Sequence, residues 1–174
     1  MSLVTTSYSS ITDTTALTIT LASLATSASS VAGRNSTIVD NTSNKYVDFL
    51  VSGQITTGTT PTTAKTISIY VYSPIKVVTS TSSYPIATAT ALTETDAAAT
   101  FEVDQRNALK LAASMGINAT SDRAYSFSFS IAQLFGGVAP LKWGIWVTHD
   151  TAVNLNATAG NHWAHYTGIK YDIT

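Results

Sequence analysis

The sequence predicts an all-β protein, an antiparallel β-sandwich of about eight strands with a jelly-roll-like topology. Three observations indicate this class. Apolar and polar residues alternate in short runs, Gly, Pro and Asn residues separate the runs, and no long segment has the period of an amphipathic helix. A barrel gives the same local signals, and the strand number favours the jelly-roll sandwich.

The chain is predicted to consist of an N-terminal arm, residues 1–14, and a single β-sandwich domain, residues 15–174. The arm is rich in Ser and Thr and lacks the basic and apolar regions of a signal peptide. We expect it to become ordered mainly by contact with another subunit. Its candidate interface residues are Leu3, Val4, Tyr8 and Ile11.

The first half of the domain contains three predicted strands. Residues 15–26 alternate at their start, and residues 46–56 and 66–72 alternate throughout, with their Val, Ile and Phe side chains on one face. Pro74 follows the third strand, and proline cannot donate to a strand ladder. Residues 74–97 are rich in Thr, Ala and Ser, so we expect a long loop with one short strand.

Further strands are predicted in the second half. Residues 125–131 give the clearest pattern because Tyr and Phe alternate with Ser, and residues 99–103, 143–148 and 163–173 also read as strands. Residues 107–118 are ambiguous. Their unbroken alternation favours a strand, although part of the segment also fits a helix.

Composition favours a subunit of an assembly. Only 11% of residues are charged and the formal net charge is −1, whereas average domains carry about 25% charged residues. The polar surface must therefore consist mainly of Ser, Thr and Asn, which are easier than ions to bury against a partner. The absence of a basic patch argues against nucleic-acid binding, and no apolar run approaches the roughly 18 residues of a membrane span.

Signals for catalysis are weak. The chain has no cysteine and no nucleophile elbow, phosphate-binding loop or zinc-protease motif. A hydrolase or metal-dependent lyase that uses His149, His162, His165 and a carboxylate is the alternative. However, His162 and His165 would point to opposite faces of a strand. We therefore predict no enzyme activity and no catalytic, cofactor-binding or metal-binding residues.

Two carboxylate pairs deserve the same comparison. Glu94 and Asp96 lie two residues apart, as do Glu102 and Asp104. Either pair could ligate Ca²⁺ or act on a glycosidic bond if another carboxylate lay nearby. Solvated side chains are the favoured interpretation, because Glu102 and Asp104 alternate with apolar residues as a half-buried strand requires.

Aromatic residues offer candidate binding platforms. Trp146 lies on the opposite strand face from Trp143, so it is a candidate interface residue or a stacking platform for a sugar. Trp163 and the Tyr70/Tyr72 pair are further stacking candidates. The alternative for an outward Trp is packing under a loop or in a second core layer.

Several stretches resemble virion structural proteins of tailed bacteriophages, in particular capsid decoration (cement) proteins. The resemblance is one of style and segment order and covers most of the chain. The stretches are 21–44, 51–61, 109–117, 125–138 (YSFSFSIAQLFGGV), 140–148 (PLKWGIWVT) and 154–168 (NLNATAGNHWAHYTG).

The resemblance implies a β-sandwich on the outer surface of the phage head, made in the host cytoplasm and bound between major capsid subunits. It implies association with itself, as a homotrimer by preference or a homodimer, and it assigns no catalytic residue. Arg34 matches the style and is a candidate interface residue, although a local pair with Asp40 is an equal alternative. Another virion component, such as a head fibre base, a tail protein or a carbohydrate-binding receptor protein, is the alternative function.

Overall fold

The computed structural model describes residues 3–9, 15–74, 76–77, 82–83, 94–101 and 103–173. Its strands form two antiparallel sheets that enclose a common core, which confirms the predicted all-β sandwich. None of the helices in these ranges is both long and apolar enough to cross a membrane.

The strands and helices have the following bounds: β1 Val4–Tyr8, β2 Thr15–Ala16, β3 Ala32–Asn35, β4 Val39–Asp40, β5 Asp48–Thr56, β6 Lys65–Tyr72, β7 Lys76–Val77, β8 Ser82–Ser83, β9 Ala97–Thr100, α1 Val103–Arg106, β10 Lys110–Ile117, β11 Ala124–Ser130, α2 Ile131–Leu134, β12 Lys142–His149 and β13 Trp163–Ile173, with a 3₁₀ turn at Ala159–Asn161.

The front sheet has the order β1-β13-β5-β11, and β2 also pairs with β13. The back sheet has the order β10-β6-β12-β3-β9, and β4 also pairs with β12. Strands from the two halves of the chain pair in a nested way: β2 with β13, β3 and β4 with β12, β5 with β11, and β6 with β10. Within the described ranges, β7 and β8 form a separate two-stranded sheet.

Alternate side chains of both sheets meet in the main core. An aromatic trio spans the two sheets: Trp143 of the back sheet lies 5.3 Å from Phe49 and 5.6 Å from Tyr166 between ring centroids, and Phe49 and Tyr166 lie 5.8 Å apart. Such pairs add about 0.5–1.5 kcal/mol each beyond the burial of their area. The fully enclosed aliphatic members include Val51, Ile55, Ile67, Ile69, Val71, Ile145 and Val147.

A second, smaller core covers the outer face of the back sheet. It contains Tyr72, Ala99, Phe101, Leu109 and Trp146, which β9 and the chain around α1 enclose. Part of the outer face of the back sheet is therefore buried as well as its inner face, whereas the front sheet is buried on its inner face.

The backbone of β3 comes close to this second core because of a glycine. A Cβ atom at Gly33 would lie 2.2 Å from the carbonyl oxygen of Val147 and 2.8 Å from the Trp146 ring. Any larger residue would push β3 away from β12.

Three predicted strands differ in detail from the structure. Of the strand expected at 15–26, only Thr15–Ala16 pairs in a sheet, as β2. The strand expected at 99–103 is β9, which ends at Thr100, and α1 begins at Val103. The ambiguous segment 107–118 is a strand, β10, but it has a bulge between Leu111 and Ala113. The extra residue reverses the alternation after Leu111. Ala113 and Met115 therefore lie opposite the inward Ile69 and Ile67, whereas Leu111 lies opposite Tyr70 on the outer face and is exposed.

Part of the predicted arm belongs to the front sheet. β1 pairs with residues 169–173 of β13, and β2 pairs with residues 165–166 along the same edge. The contacts that hold Val4–Tyr8 are thus made within the chain. Ile11 lies outside the described residues, and ordering of residues 1–14 by a partner stays a prediction.

Candidate interaction face

The outer face of the front sheet is a regular surface that the described strands leave open. Register places one side chain of every two on this face, opposite the core. We call it the front face, and its members are Val4, Thr6 and Tyr8 of β1, Trp163, His165, Thr167, Ile169 and Tyr171 of β13, Asp48, Leu50, Ser52 and Gln54 of β5, and Ser126, Ser128 and Ser130 of β11.

The front face contains several large exposed apolar side chains. Val4, Tyr8, Leu50, Trp163 and Tyr171 are each between 41% and 61% exposed. Single exposed apolar residues are ordinary, but several on one sheet face are typical of an interaction surface. Exposed aromatic side chains are also the type most often found at the centre of protein interfaces.

Charge is almost absent from this surface. Asp48 is the only carboxylate among the front-face residues, and none of them is Lys or Arg. The Asp48 carboxylate accepts hydrogen bonds from Ser130 Oγ and from the Ala132 amide, both at 2.8 Å. These hydrogen bonds hold the start of α2 against β5 and occupy the Asp48 carboxylate. The remaining polar groups on the face are hydroxyls, an amide and the imidazole of His165.

The predicted interface residues fall into two groups. Leu3, Val4 and Tyr8 are exposed, and Val4 and Tyr8 belong to the front face. Arg34 is partly buried and bonds to Asp96, with Nε–Oδ1 at 2.5 Å. The local partner that the sequence suggested, Asp40, instead accepts bonds from Thr42.

The prediction that Trp146 is an interface residue is wrong. Trp146 is fully buried, its ring lies 4.8 Å from that of Phe101 and 5.5 Å from that of Tyr70, and its indole N–H donates to the carbonyl of Ala99 at 3.3 Å. The alternative of a second core layer is the one observed. Tyr72 is buried in the same cluster, so the Tyr70/Tyr72 pair is no open stacking platform.

The histidines do not converge. His162 is buried; the Thr56 amide donates to its Nδ1 at 3.3 Å, so its Nε2 carries the proton that is donated to Asn156 O at 2.8 Å. His149 is buried on the back sheet and lies 3.0 Å from both Leu24 O and Thr151 Oγ1. His165 lies on the front face beside Trp163.

Burial lowers the pKa of His149 and of His162, against the smaller opposing effect of their backbone hydrogen bonds. Both rings are therefore neutral structural groups at pH 7. Within the described ranges no three His, Asp or Glu side chains are grouped so that they could hold a metal ion.

The carboxylate pair Glu94 and Asp96 is divided between two cations. Glu94 pairs with Lys142 at 3.0 Å, and Asp96 pairs with Arg34. Burial acts to raise the pKa of Asp96, but hydrogen bonds from Arg34 and Thr20 outweigh it and lower that pKa. Glu102 and the side chain of Asp104 lie outside the described residues. The ion pairs of Glu94 and Asp96 thus attach the segment that contains them to Lys142 and Arg34 of the sandwich.

A shallow depression of about 370 Å³ lies at the loop end of the sandwich, between residues 58–59, Asp122 and residues 153–158. Its polar groups bond to one another: Asn156 Nδ2 donates to Asp122 Oδ1 at 2.7 Å, and Asn156 Oδ1 accepts from the Thr158 amide at 2.8 Å. It is open, and its Asn156 and Asp122 side chains are bonded to each other, so it offers less for recognition than the front face.

Sequence reasoning missed Leu50 and Tyr171. Both lie on the outward-facing side of strands whose inward-facing side was assigned from Val and Ile residues. Counting apolar residues at the outward positions of 46–56 and 163–173 would have found Leu50 and Tyr171. Their grouping required knowing that β1, β13 and β5 are neighbours.

Comparison with protein-family models, with curated proteins and with solved structures finds no match to this chain.

Proposed function

We propose that this protein is a non-enzymatic virion structural protein, a capsid decoration or cement protein. It binds the outer surface of a bacteriophage head between major capsid subunits and stabilises the shell. The observation that carries the proposal is the front face: a rigid, nearly uncharged sheet surface with five large exposed apolar side chains. The resemblance of the chain to phage decoration proteins supplies the identity of the partner.

The architecture supports the same proposal. The nested pairing of β2 with β13, β3 with β12, β5 with β11 and β6 with β10 is the wrapping expected of a jelly roll, which we take the fold to be. Jelly rolls are common in viral capsid and lectin domains. Repetition of a modest contact around a symmetric shell would give avidity without any single tight site.

The front face gives a direct test. Leu50→Asp and Tyr171→Asp place a charge where the proposal puts a desolvated contact, so each variant should bind decoration-free heads at least about tenfold more weakly, since burying an unpaired carboxylate costs more than 1.4 kcal/mol. Co-sedimentation with heads assembled without this protein measures the binding. Survival of the decorated heads on heating measures shell stabilisation.

Val138→Asp is the matched control. Val138 is 63% exposed, close to the 61% of Tyr171, but it lies in the loop between α2 and β12, off the front face. The proposal predicts wild-type binding for this variant. Equal binding by all three variants, or no incorporation of the wild-type protein into heads, would contradict the proposal.

A second candidate function, carbohydrate binding as a fibre or tail component, is favoured by one observation. Trp163 is 41% exposed, and its ring lies 5.5 Å from that of His165. An exposed indole is a suitable platform for a sugar ring. Glycan-array binding that is lost in Trp163→Ala, together with unchanged head binding, would favour this function over the first.

A further inference from the structure

Among the described strands, β1 forms the open edge of the front sheet. No described strand pairs with β1 on the side away from β13. At the opposite edge, β11 lies against β10 of the back sheet, where the sandwich closes. An open strand edge presents unpaired amide and carbonyl groups that can pair with another chain.

The direction of those groups follows from the ladder. The Ser9 amide donates to Gly168 O at 2.7 Å, so the backbone groups of Ser9, Ser7 and Thr5 face β13 by alternation. Ile169 O accepts from the Val47 amide on the other side of β13, and Ile169 is the register partner of Tyr8. The backbone groups of Val4, Thr6 and Tyr8 consequently point outward.

The sequence of β1, Val-Thr-Thr-Ser-Tyr, has none of the devices that block an edge: it contains no Pro, no Lys and no other charge. It is also complementary to itself. If two copies pair antiparallel about Thr6, the two Thr6 residues exchange both backbone hydrogen bonds, and Val4 of each copy lies opposite Tyr8 of the other. Such aliphatic–aromatic cross-strand pairs are favourable.

From this geometry we propose that two copies of the chain join edge to edge through β1 into a twofold dimer. This is the dimer rather than the homotrimer that the resemblance favours. An isologous contact of one edge with itself closes at two subunits.

The dimer would enlarge the surface area available for binding a partner. From strand spacings of about 4.8 Å and rises of about 3.3 Å per residue, one front face measures roughly 500 Å². A specific interface commonly needs about 800 Å² per partner. Pairing through β1 makes the two front faces one continuous surface of roughly twice the area, which exceeds that requirement. This last step rests on the proposed function, whereas the dimer itself is tested without any capsid.

The test is sedimentation velocity of the full chain over a series of concentrations. The wild-type mass should rise from one chain to two. Thr6→Lys and Thr6→Glu each place like charges opposite each other at the twofold axis, so each alone should weaken the dimer by roughly tenfold or more. An equimolar mixture of the two variants should restore it, because the opposed charges then attract.

Thr6→Pro supplies an independent variant. It removes an outward amide and no bond to β13, and proline is tolerated at such edge positions. It should be monomeric with a wild-type melting temperature, whereas Ser7→Pro, which breaks the ladder to β13, should melt lower. Wild-type protein that stays monomeric at every concentration, or an oligomer that the Thr6 variants and their mixture leave unchanged, would overturn the proposal. Head binding by a strictly monomeric protein would leave the proposed function intact.

Discussion

At the scale of single residues, the two tryptophans of β12 are buried to the same extent but differ in the hydrogen bonding of the indole N–H. Trp143 and Trp146 are both fully buried, on opposite faces of the strand. The indole N–H of Trp146 donates to Ala99 O, whereas the N–H of Trp143 has no hydrogen-bond partner among the described residues. A buried polar group without a partner costs free energy, and a bonded one contributes about 1 kcal/mol.

This difference predicts the outcome of two matched substitutions. Trp143→Phe and Trp146→Phe remove similar volumes, but only the second also removes a buried hydrogen bond, that from the indole N–H to Ala99 O. We therefore expect Trp146→Phe to lower the free energy of unfolding by about 1–2 kcal/mol more than Trp143→Phe does. Urea unfolding followed by fluorescence of the remaining tryptophans measures both. Equal losses, or a larger loss for Trp143→Phe, would show that ring packing alone governs the site.

At the scale of elements, the alternation of apolar and polar residues located most strands, but it did not show which segments pack over them. β5, β6, β11, β12 and β13 lie within two residues of their predicted bounds, because a half-buried strand must alternate. The bulge in β10 and the end of β9 left no local signal. The burial of Trp146 depends on Phe101 and Leu109, which reach the back sheet through long-range folding. The front face was equally hidden, since its strands come from both ends of the chain.

Two buried histidines connect the loop at 150–161 to the rest of the sandwich. Burial lowers the pKa of His149 and His162, so the unfolded chain binds more protons than the folded one below the usual histidine value of about 6.5. Their contribution to stability is complete above that pH and is lost progressively as the pH falls. We expect the free energy of unfolding, measured in urea from about pH 7.5 to about pH 5, to decrease toward acid.

Substitution separates the two histidines from other groups. His162→Gln should make the free energy of unfolding depend less steeply on pH, because glutamine has no ionisable group. A wild-type profile in His162→Gln would show that the pH dependence arises elsewhere.

At the scale of the whole molecule, the sandwich is asymmetric. The second core covers part of the outer side of the back sheet, whereas the outer side of the front sheet is open and contains almost no charge. The ionic pairs among the described residues lie elsewhere: Arg34–Asp96, Lys65–Asp150, Lys142 with Asp40 and Glu94, and Lys170–Asp172. Association through the front face should therefore depend on removal of apolar area from water and on neutral hydrogen bonds.

This asymmetry predicts how salt affects binding to the capsid. Raising NaCl from about 0.05 M to about 0.5 M screens charge–charge contacts strongly, yet the affinity for decoration-free heads should change by less than about threefold, because the front face has no ion pair to lose. Sodium sulfate at the same ionic strength should strengthen binding, since excluded salts favour apolar burial. Val138→Asp should follow the wild-type curve in co-sedimentation. A loss of affinity of tenfold or more in NaCl would instead place the contact on a charged surface of the protein.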